Sequence, residues 1–290
     1  MHAIYLILYW STLGVIALAT IEAVVLWRVR RRYDWRAYLA SLADILVRHY
    51  IVYAYLGISL AAPLIGWAWT HRIATVRLGT WGAIGLLFVG QEFCYYWFHR
   101  ASHRVRFFWA SHAVHHSTNE LNLGASYRFG WVGRLIGTPA FFVPMIWLGF
   151  TPRAVFTTLN LNLLYQFFLH NDWIPRLGPL EWVFNTPSHH RVHHAANPEY
   201  LDRNYGGVLI VFDRLFGTFA AERDDVPCRF GLTTPLLSNN PVRIAFFGWV
   251  ALVDDLWRAA SLKECWRALF APPRGTRAAE DCAPAALPAE

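Results

Sequence analysis

The sequence predicts an all-α integral membrane protein with about four to five hydrophobic spans and a helical cap on the cytoplasmic side. Hydrophobic residues make up 56% of its 290 residues and charged residues only 16%, which is too apolar for an average soluble domain. Arginines cluster directly beside the apolar runs, as they do in membrane proteins. Most of the histidines follow these runs, on one side of the predicted membrane.

The first predicted span covers residues 3–27 and contains one charged residue, Glu22. It is long enough to cross a bilayer, and its basic residues follow it at 28–36 instead of preceding it. A cleavable signal peptide has the opposite order, so we expect an anchor that is retained. Because positive charges favour the cytoplasmic side, segment 28–36 is predicted to be cytoplasmic.

Further spans are predicted at residues 50–69 and 79–98, in which Glu92 is the single charged residue. Two shorter apolar runs follow at residues 135–150 and 154–169, each about 24 Å long as a helix. Their length predicts a helical hairpin that crosses the membrane or nearly does so. With this topology the third span returns the chain to the cytoplasmic side.

Charge and cysteine content argue against other classes of protein. The net charge of +7 comes almost wholly from arginines beside apolar runs, so we expect no nucleic-acid partner. The four cysteines are scattered and form no C-x-x-C pair, which supports neither a disulfide framework nor a zinc finger.

Ten of the 13 histidines fall at predicted cytoplasmic ends of spans or in cytoplasmic segments. These ten are His99, His103, His112, His115, His116, His170, His189, His190, His193 and His194. They form one H-x-x-x-H motif and two H-x-x-H-H motifs, with His170 and His189 outside the motifs. Histidines three or four residues apart share one side of a helix, so they can reach a common ligand. The remaining His2, His49 and His71 are interpreted as isolated polar residues.

So many neutral imidazoles in one place indicate a metal site, because a metal ion accepts lone pairs from all of them. Eight or nine are too many for one four-coordinate zinc and indicate two metal ions, with His115 and His116 splayed enough to serve both. Imidazole suits zinc, copper, iron and nickel, so spacing does not choose between them. His103 and His112 would be roughly 13 Å apart in a straight helix, so we expect a break within residues 104–110.

Two long stretches, "FHRASHRVRFFWASHAVHHS" and "TPSHHRVHHAANPEYLDRNYGGVLIVFDRLFGTF", resemble the fatty acid hydroxylase / sterol desaturase superfamily. The latter stretch is most similar to the alkylglycerol monooxygenase-like and bacterial sterol desaturase-like branches of that superfamily. The resemblance covers about residues 80–222. It implies a membrane-bound, non-haem di-iron oxidoreductase that uses O2 to hydroxylate or desaturate a lipid, sterol-like or alkyl-chain substrate.

The same resemblance implies which histidines bind the two iron ions. They are His99, His103, His112, His115, His116, His170, His190, His193 and His194. For His189, ligation and a role beside a ligand are both open, and its offset of about 100° from His190 on a helix favours a role beside a ligand. Glu92, Asp202 and Asn204 are candidates to hydrogen-bond a ligating imidazole. The alternatives are a headgroup-facing carboxylate for Glu92 and a turn or cap for the other two.

The domain organisation follows from these assignments. Residues 1–75 are predicted to be anchor spans, 76–222 a fatty acid hydroxylase-like di-iron core, 223–270 an amphipathic C-terminal segment and 271–290 a disordered tail. Expected partners are the lipid bilayer, a lipid substrate and a separate electron donor, because the chain has no dinucleotide-binding or haem motif. In the superfamily the donor is cytochrome b5, a ferredoxin system or a pterin.

A membrane metal-binding or transport protein without oxygenase activity is the main alternative. Transporters place ionisable ligands near the middle of the bilayer, whereas these histidines collect at one predicted face. A membrane zinc hydrolase is a third possibility, but the chain has no H-E-x-x-H motif. The pattern therefore favours the enzyme.

Overall fold

The computed structural model describes residues 2–49, 59–133 and 135–275, with side chains from Trp10 onward. Every regular element in these ranges is helical, and extended backbone pairs only in isolated bridges. The all-α fold class is therefore confirmed for the described part of the chain. Residues 50–58 of the predicted span 50–69, and residues 276–290 of the predicted tail, lie outside the described part of the chain.

Helix α1 (His2–Arg30) contains the first predicted span and ends in arginines, as the basic segment predicted. Its stretch Trp10–Arg30 is the one helical segment of the described ranges that is long and apolar enough to cross a membrane. Glu22 does not face outward: its carboxylate accepts hydrogen bonds from the backbone N–H of Leu123 at 2.6 Å and from the Trp173 indole at 3.1 Å. Helix α1 is therefore tied to the histidine-bearing part of the fold.

Helix α2 (Trp35–Val47) is capped by Asp34, and helix α3 (Ala62–Thr70) has Pro63 in its first turn. Helix α4 (Trp81–Arg104) holds the third predicted span and continues through the H-x-x-x-H motif. It ends before Val105, which has extended backbone, and helix α5 (Arg106–His112) starts a new direction. The predicted break within residues 104–110 is confirmed.

The predicted hairpin has unequal arms. The run 135–150 forms a 3-10 turn (Thr138–Phe142) and a short helix α6 (Val143–Leu148), because prolines near both starts leave no room for one continuous helix. The second arm is helix α7 (Pro152–Leu169), which is continuous and capped by Thr151. The first arm is thus shorter than the sequence predicted.

Helix α8 (Pro187–His194) carries the last histidine motif, and the Thr186 hydroxyl caps its first turn. Helix α9 (Val211–Leu215) follows, and helices α10 (Pro241–Arg258) and α11 (Leu262–Phe270) form the C-terminal segment. The backbone N–H of Arg106 donates to the Ala271 carbonyl at 3.2 Å, which brings the end of this segment back to α5.

A hydrophobic cluster formed by α3, α4, α6 and α7 supports the end of α4 that carries the histidines. Its buried members include Leu87, Tyr95, Ile146 and Val155. Close packing gives each of these side chains many van der Waals contacts, which hold helices together in lipid as well as in water. The cluster therefore gives the histidine-bearing helices a rigid base.

Candidate metal centre

The nine histidines expected to bind metal converge in two groups, and within each group the nearest ligand atoms all lie within 4.8 Å of one another. The five-histidine group contains His99, His103, His112, His116 and His193. The four-histidine group contains His115, His170, His190 and His194. The groups adjoin, because the rings of His116 and His194 stack with 4.4 Å between their centroids.

Each H-x-x-H-H motif divides its histidines between the two groups. His112 and His116 belong to the five-histidine group, while His115 belongs to the other. The last motif does the reverse, with His193 alone in the five-histidine group. His115 and His116 were expected to serve different metals, and their ligand atoms lie in different groups. His190, His193 and His194 were expected on one broad face of the helix, and their ligand atoms also divide between the two groups.

The five-histidine group has the spacing of ligands around one ion. The Nε2 atom of His112 lies 3.1 Å from that of His99 and 3.3 Å from that of His116. Two nitrogens that bind one metal at about 2.1 Å and at right angles are about 3 Å apart. The Nε2 atoms of His103 and His193 are buried and have no hydrogen-bond partner. Unsatisfied buried nitrogens are costly, so the group fits a cation.

The four-histidine group has the same spacing. The Nε2 atom of His170 lies 3.1 Å from that of His115 and 3.0 Å from that of His190. The Nε2 atoms of His190 and His194 are 3.1 Å apart. Four imidazole nitrogens facing each other at this distance cannot all be paired by their own protons, so a shared cation satisfies them best.

Backbone carbonyls fix the orientation of four of the nine rings. The Nδ1 atom donates to a carbonyl oxygen in each case: His99 to Tyr205 at 2.9 Å, His115 to Arg128 at 3.2 Å, His170 to Gln166 at 2.7 Å and His193 to Arg203 at 3.0 Å. A proton held on Nδ1 leaves the lone pair on Nε2, which faces the centre of the group. The fold thus selects the tautomer that a metal ligand needs.

Burial keeps these imidazoles neutral. Desolvation, followed by the neighbouring imidazoles, lowers the pKa of His99, His112 and His115 well below the usual value. Burial lowers the pKa of His170 to about 3 and that of His193 to about 4, although each ring's hydrogen bond to a backbone carbonyl raises its pKa. At neutral pH the rings therefore present lone pairs rather than repelling charges.

Glu92 is buried in α4 and acts on backbone rather than on an imidazole. Its carboxylate accepts hydrogen bonds from the N–H groups of Val208 and Leu209, at 2.8 and 2.9 Å, and from the Asn162 side chain. The segment 205–209 also carries the carbonyl that holds His99. Glu92 therefore positions that segment, and this contact replaces the direct one that the sequence suggested.

Asp202 and Asn204 both have left-handed backbone, with φ of 57° and 56°, as the turn interpretation predicted. The Asp202 carboxylate also approaches an imidazole, with 3.7 Å between its Oδ1 and Nδ1 of His103. Asn204 instead donates to the carbonyls of His189 and Ala220, at 3.0 and 2.7 Å. It fixes the loop after the last motif against the start of α8.

His189 lies outside both groups. Its ring packs against Phe219 with 5.2 Å between centroids, and its Nε2 lies 3.8 Å from a Glu181 carboxylate oxygen. Its contacts are thus with Phe219 and Glu181 and not with the two histidine groups, as expected of a histidine that does not bind the metal.

Two supporting residues were not predicted from the sequence. Asp213 is buried and accepts from the backbone N–H groups of Tyr205 and Gly206, both at 2.7 Å. Arg191 sits among the histidines of α8 and binds Glu222 through two N–H groups, at 2.8 and 2.7 Å. The signal for Asp213 in the sequence was the short "FDRLFG" stretch after the Gly-Gly turn. Arg191 shows that not every polar residue of the last histidine motif belongs to the two histidine groups.

Comparison with known proteins gives a consistent picture. Residues 84–218 match the model of the fatty acid hydroxylase family. The chain is 37% identical over 221 residues to alkylglycerol monooxygenase of Xenopus tropicalis, covering 76% of this chain and 48% of the relative. It is 40% identical over 187 residues to the human alkylglycerol monooxygenase, covering 64% of this chain and 41% of the relative. It is 33% identical over 129 residues to ornithine lipid hydroxylase OlsE of Rhizobium tropici, covering 44% of this chain and 39% of the relative.

The chain spans half or less of the length of these curated relatives. No solved structure matches it. The matched residues 84–218 include all nine clustered histidines, so the similarity covers the whole candidate centre.

Proposed function

Because residues 84–218 belong to the fatty acid hydroxylase family, we propose that this protein is a membrane-bound, non-haem di-iron monooxygenase that hydroxylates an alkyl lipid with O2. One observation carries the proposal: two adjoining, buried groups of five and four imidazoles whose nitrogens are spaced as ligands of two ions. Iron binds imidazole readily, and the donor set fits it.

The five-histidine group would hold one iron and the four-histidine group the other. Iron supplies the activation of O2 and the oxidation of an unactivated C–H bond. The chain supplies carbonyls that keep the proton on Nδ1, and burial that keeps the imidazoles neutral. Glu92 and Asp213 hold the Tyr205 segment, and through it the His99 ring.

The substrate we propose is an alkylglycerol, since the relatives with the longest matches are named for that monooxygenase activity. Hydroxylation is favoured over desaturation for the same reason, because the bacterial relative is also named as a hydroxylase. Electrons would come from a separate donor.

The membrane arrangement is part of the proposal. We place the arginines at the end of α1 and both histidine groups on the cytoplasmic face, below about four to five spans. We keep the predicted division into an anchor (1–75), a di-iron core (76–222), a C-terminal segment (223–270) and a tail (271–290).

The test is oxygen transfer by the purified protein. Iron-loaded protein in lipid nanodiscs is given an alkylglycerol, a chemical reductant and ¹⁸O2, and the lipid is analysed by mass spectrometry. We expect label in the lipid product, and none with a His112→Ala variant. Protein that holds iron but transfers no ¹⁸O to any lipid supplied would instead support the metal-binding alternative.

A further inference from the structure

A cavity of about 380 Å³ opens beside the five-histidine group. Three members of that group, His103, His116 and His193, line it together with Asp202. The members of the four-histidine group are not among its lining residues, as far as the chain is described. The two candidate metal positions therefore differ in access, and the cavity leads to the five-histidine one.

The opposite wall of the cavity comes from the C-terminal segment. It consists of residues 231–236, of Phe247, Gly248 and Ala251 on α10, and of residues 273–275. This wall lies outside the family match, which ends at residue 218. The wall thus lies beyond the residues that the family model matches.

Helix α10 approaches α5 closely at Gly248. A Cβ atom at this position would lie 2.5 Å from the Ala110 carbonyl oxygen, so only glycine permits the contact without a shift. An ion pair between Arg106 and Asp255 joins the same two helices. Both contacts fix the distance between α10 and the histidines, and so the width of the cavity.

The lining is suited to an amphiphile. Trp109, Leu232, Leu236 and Phe247 give apolar surface, while the hydroxyls of residues 233–234 offer hydrogen bonds. The volume of about 380 Å³ falls within the range of small-ligand pockets. A pocket of this class suits a polar head and the adjoining carbons, and the cavity is open, so a longer alkyl chain can extend out of it.

We infer that the C-terminal segment 231–275 forms the substrate site and presents the head and adjoining carbons of a single-chain lipid to the five-histidine group. The inference rests on the proposed function for the identity of the reaction. It adds which of the two groups faces the substrate and which part of the chain recognises it. The rest of the alkyl chain leaves through the opening of the cavity.

The test fills the cavity from its outer wall. Ala251→Trp and Thr234→Trp each add an indole at a position that lines the cavity. Val250→Trp is the matched control, since Val250 neighbours Ala251 and is exposed like it, but does not line the cavity. Each protein is loaded with Zn²⁺, which has no redox chemistry, so binding is measured without turnover. The probe is a radiolabelled alkylglycerol in nanodiscs.

We expect both cavity variants to weaken binding at least tenfold, the control to stay within about twofold of wild type, and bound zinc to be equal in all four proteins. Equal zinc shows that the histidine groups have formed. Cavity variants that bind the probe as tightly as the control would overturn the inference.

A second measurement separates this inference from the choice of substrate. Lipids retained through purification are identified by mass spectrometry for the wild-type protein and for each variant. Wild type and Val250→Trp should retain the same single-chain lipid, and the two cavity variants should lose it. If the wild type retains such a lipid but does not bind the alkylglycerol, the proposed substrate is wrong and the site stands; if it retains none and binds none, the site is wrong.

Discussion

Glu92 lies at the start of a buried chain of side-chain hydrogen bonds whose direction can reverse. Its carboxylate accepts from Asn162, the Asn162 carbonyl accepts from Gln166, and the Gln166 carbonyl accepts from the Tyr95 hydroxyl at 2.9 Å. The other carboxylate oxygen accepts from the backbone N–H groups of Val208 and Leu209. All four side chains are buried.

Glu92→Gln keeps one oxygen for the two backbone N–H groups and turns an NH2 toward Asn162. If the amides of Asn162 and Gln166 both flip, Asn162 accepts from the new glutamine and the Tyr95 hydroxyl accepts from Gln166. Every donor then still has an acceptor except the buried Tyr95 O–H, which had donated to Gln166. The cost is that unpaired hydroxyl together with the weaker acceptor strength of an amide relative to a carboxylate, about 2–4 kcal/mol in all.

Glu92→Ala leaves three buried donors without an acceptor: two backbone N–H groups and the Asn162 amide. At about 1–3 kcal/mol each, the loss is roughly 3–9 kcal/mol, a large fraction of the stability of a typical domain. The segment that carries the Tyr205 carbonyl would also loosen, and with it the orientation of the His99 ring.

The assay is thermal unfolding of wild type, Glu92→Gln and Glu92→Ala in the same nanodiscs, together with iron content after reconstitution. We expect a smaller loss for glutamine, with iron retained, than for alanine, which should also hold less iron. If glutamine is as harmful as alanine, the negative charge itself is required and the reversible chain of hydrogen bonds is refuted.

Two further predictions concern the last histidine motif, and a third concerns the membrane topology. His193→Ala should lose iron and activity, whereas His189→Ala should keep most of its iron and lose about 10- to 100-fold in affinity or activity at most; equal loss of iron in both would place His189 among the ligands. Arg191→Lys should lower thermal stability by roughly 1–3 kcal/mol, because lysine cannot make the paired contact with Glu222, and stability equal to wild type would contradict this. A cysteine in place of the exposed Asn119 should react with a membrane-impermeant maleimide only after the cells are opened, and labelling of intact cells would invert the topology.

The sequence predicted the set of converging histidines well, because ligand identity and spacing are local properties. It also predicted the break after Arg104, since His103 and His112 would be too far apart on one straight helix to meet. The break needed only the geometry of a helix, whereas the full set of nine histidines, with His170, also rested on the resemblance to the family.

The division of each motif between two groups was not predictable in the same way. On α8, His190 and His194 differ by about 40° around the axis, while His193 lies about 60° from one and 100° from the other. With these angles the three histidines can either share one broad face of the helix or divide between two neighbouring faces. Which applies depends on what packs opposite, and here His170 from α7 joins His190 and His194.

The roles of Glu92 and of the run 135–150 depend on tertiary contacts and on proline. Glu92 is on the His99 side of α4, but the segment 205–209 reaches its carboxylate and takes one of its oxygens, while Asn162 takes the other. Hydropathy treated 135–150 as one apolar run, yet Pro139 and Pro144 divide it into a 3-10 turn and a short helix.

The most direct test of the central claim is the metal content and metal environment of the iron-loaded protein, measured by elemental analysis and iron K-edge X-ray absorption. The account predicts about two iron ions per chain, one for each histidine group, with a first coordination sphere dominated by imidazole nitrogen and a second iron nearby. A single iron per chain, or iron with sulfur ligands and no iron neighbour, would contradict it.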